Sequence, residues 1–358
     1  MNQLKKICSI LLFLTLAASG SAPAQKPAPL VGQLLIDSLL KELPRQKEDT
    51  NKAKVLKDLS FDYRNINPDE GIKYAQQSLA LAEKLQWKKG MAMANNNLGV
   101  NYQNKSDYPK ALAYYTTTLK INEETGDKAG VAKVNGNIGI VYYDQNDYPR
   151  ALEYYFKALK MAEETGDKNG VANSTGNIGL VYSDQGDYSR ALECHFKALK
   201  MNEEIGSKQG VANSTMNIGS IYFYQGDYPH ALEYYFKALK MGEEMEDKTL
   251  AAKNTANIGL VYRRQSDYPR ALEYDLKALK IAEETGNKTS AAMTTGNIGD
   301  VYTHEKNYIM AIEYCKKALE MSEDIGDKRT AAYSMKEIGE AYLTLSEDSI
   351  QDSKVILP

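Results

Sequence analysis

The sequence repeats itself every 40 residues over most of its 358-residue length. A glycine and a tyrosine three residues after it recur at this spacing, and the block that follows is nearly copied between units. The glycines are Gly99, Gly139, Gly179, Gly219, Gly259, Gly299 and Gly339. A unit of this length cannot bury its own apolar face, so the repeat predicts units stacked along an elongated array.

The spacing of apolar residues within each unit predicts two helices. In the unit that begins near residue 131, Val131, Ile138 and Tyr142 share one face at helical spacing. Leu152 and Leu159 do so in the second half of the same unit. The pattern therefore predicts an all-α chain built from helix pairs.

Caps and small residues predict how the two helices meet. Asp147 and Pro149 are typical of the start of the second helix, and Gly166 is typical of a left-handed cap at its end. Asp167 directly follows and can cap the next helix. Such short connections predict antiparallel helices, which the small Gly139 allows to approach closely.

The repeat frame divides the chain into four segments. We expect a signal peptide at 1–24, an N-terminal helix from a partial repeat at 25–50, and a terminal capping helix and tail at 331–358. Between them, residues 51–330 form the array of seven 40-residue units, of which the first is degenerate.

The first segment predicts export. Lys5 and Lys6 precede an apolar run at 7–18, and Ala22-Pro23-Ala24 offers a small-residue cleavage site. The run is shorter than the ~20 residues that a membrane span requires. We therefore expect a periplasmic or secreted protein with no membrane span after cleavage; the alternative is that residues 1–24 stay as an uncleaved N-terminal anchor.

The composition excludes several classes of function. Lys and Arg number 44 against 47 Asp and Glu, a net charge of −3, so nothing predicts binding of nucleic acid through bulk charge. The three histidines, His195, His230 and His304, occupy non-equivalent places, and the sequence has only three cysteines. No catalytic motif is present. The sequence predicts no enzyme activity, cofactor or metal.

The order of small and aromatic residues in each unit resembles the tetratricopeptide repeat. The residues that carry this resemblance are Leu98, Gly99, Tyr102 and Ala111 in one unit, and Ile138, Gly139, Tyr142, Ala151 and Ala158 in the next. The 40-residue unit is longer than the usual 34 residues and resembles the repeats of kinesin light chains, G-protein-signalling modulators and the sensory regions of bacterial signalling proteins. The resemblance implies an α-solenoid, a right-handed superhelix of helix-turn-helix repeats whose first helices line a concave groove.

That groove is the candidate binding site. The resemblance implies that one asparagine per unit contacts a bound peptide, because its amide both donates and accepts hydrogen bonds. These asparagines, which we term the asparagine ladder, are Asn97, Asn137, Asn177, Asn217, Asn257 and Asn297. The other candidate groove residues are Ile140, Leu180, Leu260, Tyr143, Phe223, Tyr224, Arg263 and Arg264.

Each part of the groove has a second interpretation. The asparagines could instead bond neighbouring helices, and the apolar residues could pack against the second helix of their own unit. Arg263 and Arg264 could receive a carboxylate or phosphate, or be solvated surface charges.

Two functions remain open from the sequence. The first is an exported, non-catalytic scaffold that binds a peptide or protein partner along the groove. The alternative is the extracytoplasmic sensory or input region of a bacterial signalling protein (a histidine kinase, cyclase or regulator) whose effector domain is missing from this chain.

Overall fold

The computed structural model describes the backbone of residues 31–355 and the side chains of residues 32–346. The predicted signal peptide at 1–24 lies outside these residues. Sixteen α-helices and no strand occur within the described backbone. The helices are α1 Val31–Glu42, α2 Thr50–Tyr63, α3 Pro68–Lys84, α4 Lys88–Asn104, α5 Tyr108–Thr125, α6 Lys128–Asp144, α7 Tyr148–Thr165, α8 Lys168–Asp184, α9 Tyr188–Glu204, α10 Lys208–Tyr224, α11 Tyr228–Glu244, α12 Lys248–Arg264, α13 Tyr268–Thr285, α14 Lys288–His304, α15 Tyr308–Ile325 and α16 Lys328–Val355. A short 3-10 helix, Leu43–Arg45, follows α1.

The helices stack as an α-solenoid, which confirms the predicted fold class. The even-numbered helices from α2 are the first helices of their units, and the odd-numbered helices from α3 are the second helices. Each helix packs mainly on the helices before and after it in the chain. First helices of successive units also contact each other more than second helices do, so the array curves with the first helices on the inner side.

The predicted helix caps are confirmed. The Asp147 side chain accepts a hydrogen bond from the backbone N–H of Arg150 at 3.1 Å, and Asp167 accepts from that of Gly170 at 3.0 Å. Gly166 has a φ of +68°, the left-handed conformation that glycine adopts without strain. One helix therefore ends and the next begins within two residues.

Glycines on the first helices make room for buried side chains of the second helices. A Cβ added to Gly139 would lie 2.6 Å from the Tyr155 ring, and one added to Gly99 would lie 2.5 Å from the Tyr115 ring. Under Gly179, the corresponding neighbour is His195 Nε2, at 2.9 Å. These distances are shorter than van der Waals contact, so the glycines are required by side-chain packing rather than by backbone conformation.

Replacing Gly179 with leucine is expected to lower the free energy of unfolding by about 1–3 kcal/mol, because the new side chain overpacks the contact with His195 and Cys194. Gly176→Ala on the same helix is the matched control, since its Cβ would meet no atom within 4 Å. Alanine also has the higher helix propensity. Thermal denaturation followed by circular dichroism measures both variants, and an unchanged melting temperature for Gly179→Leu would contradict the packing.

Stacked tyrosines join the two helices of a unit. Tyr142 on α6 stacks on Tyr154 of α7 with ring centroids 5.5 Å apart, and the Arg150 guanidinium lies 4.3 Å from the Tyr142 ring centroid. The same arginine pairs with the capping carboxylate of Asp147. The arrangement recurs in other units, for example at Tyr262 with Tyr274 and Arg270. It accounts for part of the chain's high tyrosine content.

Candidate peptide-binding groove

The inner face of the solenoid is continuous from one first helix to the next. Gln103 on α4 donates a hydrogen bond to Asp144 on α6 at 2.9 Å. The Tyr143 hydroxyl donates to Asp184 on α8 at 2.6 Å. These bonds join side chains about one unit apart, so the predicted groove residues lie along a single surface.

The asparagine ladder divides into two parts. The Asn97 amide donates to the backbone carbonyl of Lys57 at 2.8 Å, and the Asn137 amide donates to Asn96 Oδ1 at 2.9 Å. These two asparagines therefore bond neighbouring helices. The other four are half-buried on the inner face, and within the described residues their side chains make no hydrogen bond. They are Asn177, Asn217, Asn257 and Asn297.

The apolar groove residues also differ among themselves. Val100 and Ile140 are half-buried and pack against core clusters that contain Ala111 and Ala151 of the second helices. Leu180 and Leu260 are half-buried at the equivalent places. Ser220 and Asp300 replace the apolar residue in two units, so the apolar surface is interrupted.

The aromatic candidates lie at the ends of the first helices. Burial and the hydrogen bond to Asp184 raise the pKa of Tyr143, so its hydroxyl is a donor at any physiological pH. Phe223 is half-buried and packs against Tyr228. Tyr224 is 63% exposed and contacts the Phe223 ring edge-on. Among these aromatic candidates, Tyr224 presents the largest free surface to a partner.

The two arginine candidates have different environments. Arg264 is exposed at the end of α12. The side chain of Arg263 is only 10% exposed and lies between two carboxylates, with Nη1 3.1 Å from Asp300 Oδ2 and Nε 3.7 Å from Asp275 Oδ2. The interpretation of Arg263 as a solvated surface charge is therefore wrong, and its guanidinium is already neutralised by acidic groups.

The sequence analysis did not include in the candidate site a row of buried side chains that lies beneath the groove. These residues come from the second helices and lie under the first-helix glycines: Tyr115, Tyr155, His195, Tyr235, Asp275 and Cys315. The Tyr115 hydroxyl donates to Gln103 at 3.0 Å, and the Tyr235 hydroxyl donates to Ser220 at 3.1 Å. One sequence signal could have revealed these residues. Their position in the second helix changes from unit to unit, although the units are otherwise nearly identical.

Burial shifts the pKa of every member of this row, and His195 and Asp275 are the two whose shifted pKa lies between about 4 and about 7. Burial lowers the pKa of His195 to about 4, so its imidazole is neutral near pH 7. Burial raises the pKa of Asp275 to about 7, and the charge of Asp300 acts in the same direction, against the opposing effect of Arg263. Neither side chain makes a hydrogen bond.

A cavity of about 230 Å³ opens in the groove between α10, α12 and α14. Its lining includes Met216, Met293 and Ala256, together with Asn257 of the ladder and the ammonium-bearing Lys253. Methionine side chains adapt to different apolar shapes. The cavity can accept an apolar side chain beside a free asparagine amide.

The described residues contain neither a helix long and apolar enough to span a membrane nor a group of three or more His, Cys, Asp or Glu that could hold a metal ion. The two cysteines in this part of the chain, Cys194 and Cys315, are free thiols.

Comparison with known families identifies the repeat. The sequence profile of the tetratricopeptide repeat matches residues 90–164, 130–204, 170–244, 210–284 and 290–349. The chain therefore belongs to the tetratricopeptide repeat family. A comparison with curated protein sequences gave no match.

Solved structures share this fold at low sequence identity. A signal transduction ATPase with a tetratricopeptide repeat sensor from Pyrococcus horikoshii is 16% identical, with a TM-score of 0.60 over 90% of this chain and 54% of that one. Aspartyl phosphate phosphatase F from Bacillus subtilis is 13% identical, with a TM-score of 0.56 over 88% and 94%. A Rap protein complexed with Competence and Sporulation Factor is 14% identical, with a TM-score of 0.54 over 88% and 98%. At these identities, the likeness shows the fold alone.

Proposed function

We propose that this chain binds a peptide, or an extended segment of a partner protein, along its groove without catalysing a reaction. The observation that carries the proposal is the row of four ladder asparagines whose amides make no hydrogen bond within the described residues. A half-buried amide without a partner can donate to and accept from the backbone of an extended peptide. The Rap protein of similar fold was solved in complex with Competence and Sporulation Factor, which is consistent with this use of the groove.

The cavity beside Asn257 adds side-chain recognition to backbone recognition. Met216 and Met293 lie on its walls, and Met293 is 48% exposed. A peptide held by its backbone at the ladder would place an apolar side chain into this space. Burial of such a side chain contributes about 1.5–3 kcal/mol to binding, more than one neutral hydrogen bond does.

Replacing both Asn177 and Asn217 with alanine is expected to weaken peptide binding about tenfold or more, because two hydrogen bonds to the ligand are lost. The melting temperature is expected to stay constant, since neither amide bonds another part of the protein. The probe is a peptide selected on the wild-type protein from a phage-displayed random library, and fluorescence anisotropy measures its affinity.

The matched control is the double variant Asn97→Ala/Asn137→Ala. Both of its amides bond neighbouring helices, so this variant is expected to lose stability rather than specific contacts with the peptide. If Asn177→Ala/Asn217→Ala bound the selected peptide as tightly as the wild type does, the ladder would have no part in recognition.

We also propose that the protein is exported, on the basis of the pattern in residues 1–24. N-terminal sequencing of the protein recovered from a fractionated bacterial host tests this proposal. Cleavage after Ala24 and recovery outside the cytoplasm would support it, and an intact Met1 in the cytoplasm would contradict it.

A sensory role is the second candidate function. The similar fold from Pyrococcus horikoshii is described as a tetratricopeptide repeat sensor within a signal transduction ATPase, which favours an input role for such arrays. An open reading frame that continues in frame past Pro358 into an effector domain would support this role over that of a free scaffold.

A further inference from the structure

The groove changes character toward its C-terminal end. Where α6 and α8 carry Ile140 and Leu180, α14 carries Asp300. Where α14 carries the ladder residue Asn297, α16 carries Glu337. Acidic groups therefore replace apolar and amide groups in the last units of an array that is otherwise nearly repeated.

A fully buried carboxylate lies beneath this region. Asp275 on α13 has no exposed surface, and neither of its oxygens accepts a hydrogen bond. The Arg263 guanidinium forms ion pairs with both Asp275 and Asp300, and the side chain of Asp300 is 19% exposed. Glu337 is 5% exposed. The ammonium of its neighbour Lys336 forms ion pairs with both Glu337 and Glu340.

Negative charge exceeds positive charge in this cluster. The cluster contains four carboxylates and two basic groups, so two carboxylates are uncompensated when all are ionised. The carboxylates are those of Asp275, Asp300, Glu337 and Glu340, and the basic groups are those of Arg263 and Lys336. Within residues 32–346, no ion pair links Lys253 or Arg264 to these acids. Asp300 gains little compensation from His304, because that imidazole is largely exposed and its Nε2 lies 3.5 Å from the carboxylate.

The titrating groups around Asp300 respond to this excess of negative charge. The charge of Asp300 raises the pKa values of Asp275 and Glu337, adding to the larger effect of burial. Burial and then the charges of Asp300 and Glu337 raise the pKa of Tyr333. A cation entering the groove here would be stabilised by the charge of Asp300, which is the accessible carboxylate of this cluster.

We propose that the C-terminal end of the groove, between α12, α14 and α16, binds a lysine or arginine side chain of the peptide at Asp300, with the buried Glu337 adding negative charge beside it. This inference rests on the proposed function and adds a specificity to it. Asp300 supplies an accessible carboxylate, and Tyr333, which is 38% exposed, lies beside it. An anionic side chain does not fit, because the one buried guanidinium of this cluster is already held by two carboxylates.

The test is selection of peptides from a phage-displayed random library on the wild-type protein. Lysine or arginine is expected to be enriched at one position of the selected peptides. Asp300→Asn is expected to weaken binding of a selected peptide about 10- to 100-fold, the range for loss of one hydrogen bond to a charged group. The same peptide with glutamine at the basic position is expected to bind wild type and variant equally.

A second variant and a control separate binding from folding. Glu337→Gln leaves the pairing of Arg263 intact and is expected to weaken binding of the basic peptide selectively, because it lowers the negative charge beside Asp300. Circular dichroism checks that this variant is folded. Glu153→Gln, at an exposed carboxylate of the second helix α7 that pairs with Lys157 outside the groove, is expected to leave the affinity unchanged. Selected peptides without a basic position, or equal effects on basic and glutamine peptides, would overturn this inference alone. A selection that yields no groove-binding peptide would overturn the proposed function, and this inference with it.

Discussion

Replacing Asp275 with asparagine is expected to stabilise the protein increasingly as the pH rises from about 4 to about 8, by a total of roughly 4 kcal/mol relative to the wild type. Burial raises the pKa of this carboxyl to about 7 from its usual 3.8. A pKa that differs by one pH unit between the folded and the unfolded state changes the free energy of unfolding by about 1.4 kcal/mol. Asparagine has nearly the same shape as aspartate, so the comparison isolates the charge.

The direction follows from where the proton is bound. Between pH 3.8 and about 7, the folded state holds a proton on Asp275 that the unfolded state has released, so the unfolding free energy falls as the pH rises. Above about pH 7, both states are ionised and the contribution is constant. Asparagine carries no charge at any pH and therefore removes this dependence.

Urea denaturation of the wild type and of Asp275→Asn at several pH values measures the effect. The titration of all other groups cancels in the difference between the two proteins, provided that their environments are unchanged. A difference in unfolding free energy that stays constant between about pH 4 and about pH 8 would mean that Asp275 is not desolvated in the folded state.

Replacing His195 with tyrosine is expected to stabilise the protein in acid, by about 3 kcal/mol near pH 4 relative to the difference at pH 8. Burial lowers the pKa of this imidazole to about 4, whereas the unfolded value is 6.5. The unfolded state therefore binds a proton that the folded state excludes, and the wild type loses stability as the pH falls from 6.5 toward 4. Tyrosine fits this position because Tyr155 and Tyr235 occupy it in neighbouring units.

The reciprocal variant checks this prediction. Tyr235→His places an imidazole at the equivalent buried position, and it is expected to introduce the same loss of stability in acid. Measurements by urea denaturation over the same pH range compare both variants with the wild type. Parallel pH profiles for wild type and His195→Tyr would show that the imidazole is protonated as readily in the folded state as in the unfolded state.

The two buried groups act in opposite directions below about pH 6.5. Asp275 favours the folded state as the pH falls, and His195 disfavours it. Each single variant should thus show a steeper pH dependence than the wild type, and the double variant should lack both contributions.

The fold and its local detail were predictable because they depend on neighbours in the sequence. The 40-residue period, the Asp147 and Asp167 caps and the left-handed Gly166 involve residues only a few positions apart. Helical spacing and capping are determined within one or two turns of backbone, so their signals survive in a single sequence.

The candidate groove was predictable only in position. The sequence placed the asparagines on one face but could not distinguish Asn97, which bonds Lys57, from Asn177, which makes no hydrogen bond. These residues are equivalent in their units, and the first helix that carries Asn97 packs more closely on the preceding first helix than the one that carries Asn177 does. The difference depends on the packing of one unit on the next.

The repeat pattern is sufficient to predict a stack of helix pairs with an inner row of asparagines. Which polar groups are free and which charges are compensated depends on how the helices pack. Arg263, Asp275 and Asp300 lie on three different helices and become one charged cluster because the successive helices α12, α13 and α14 pack against one another. Such a cluster depends on desolvation and on distances between helices, which no local spacing in the sequence encodes.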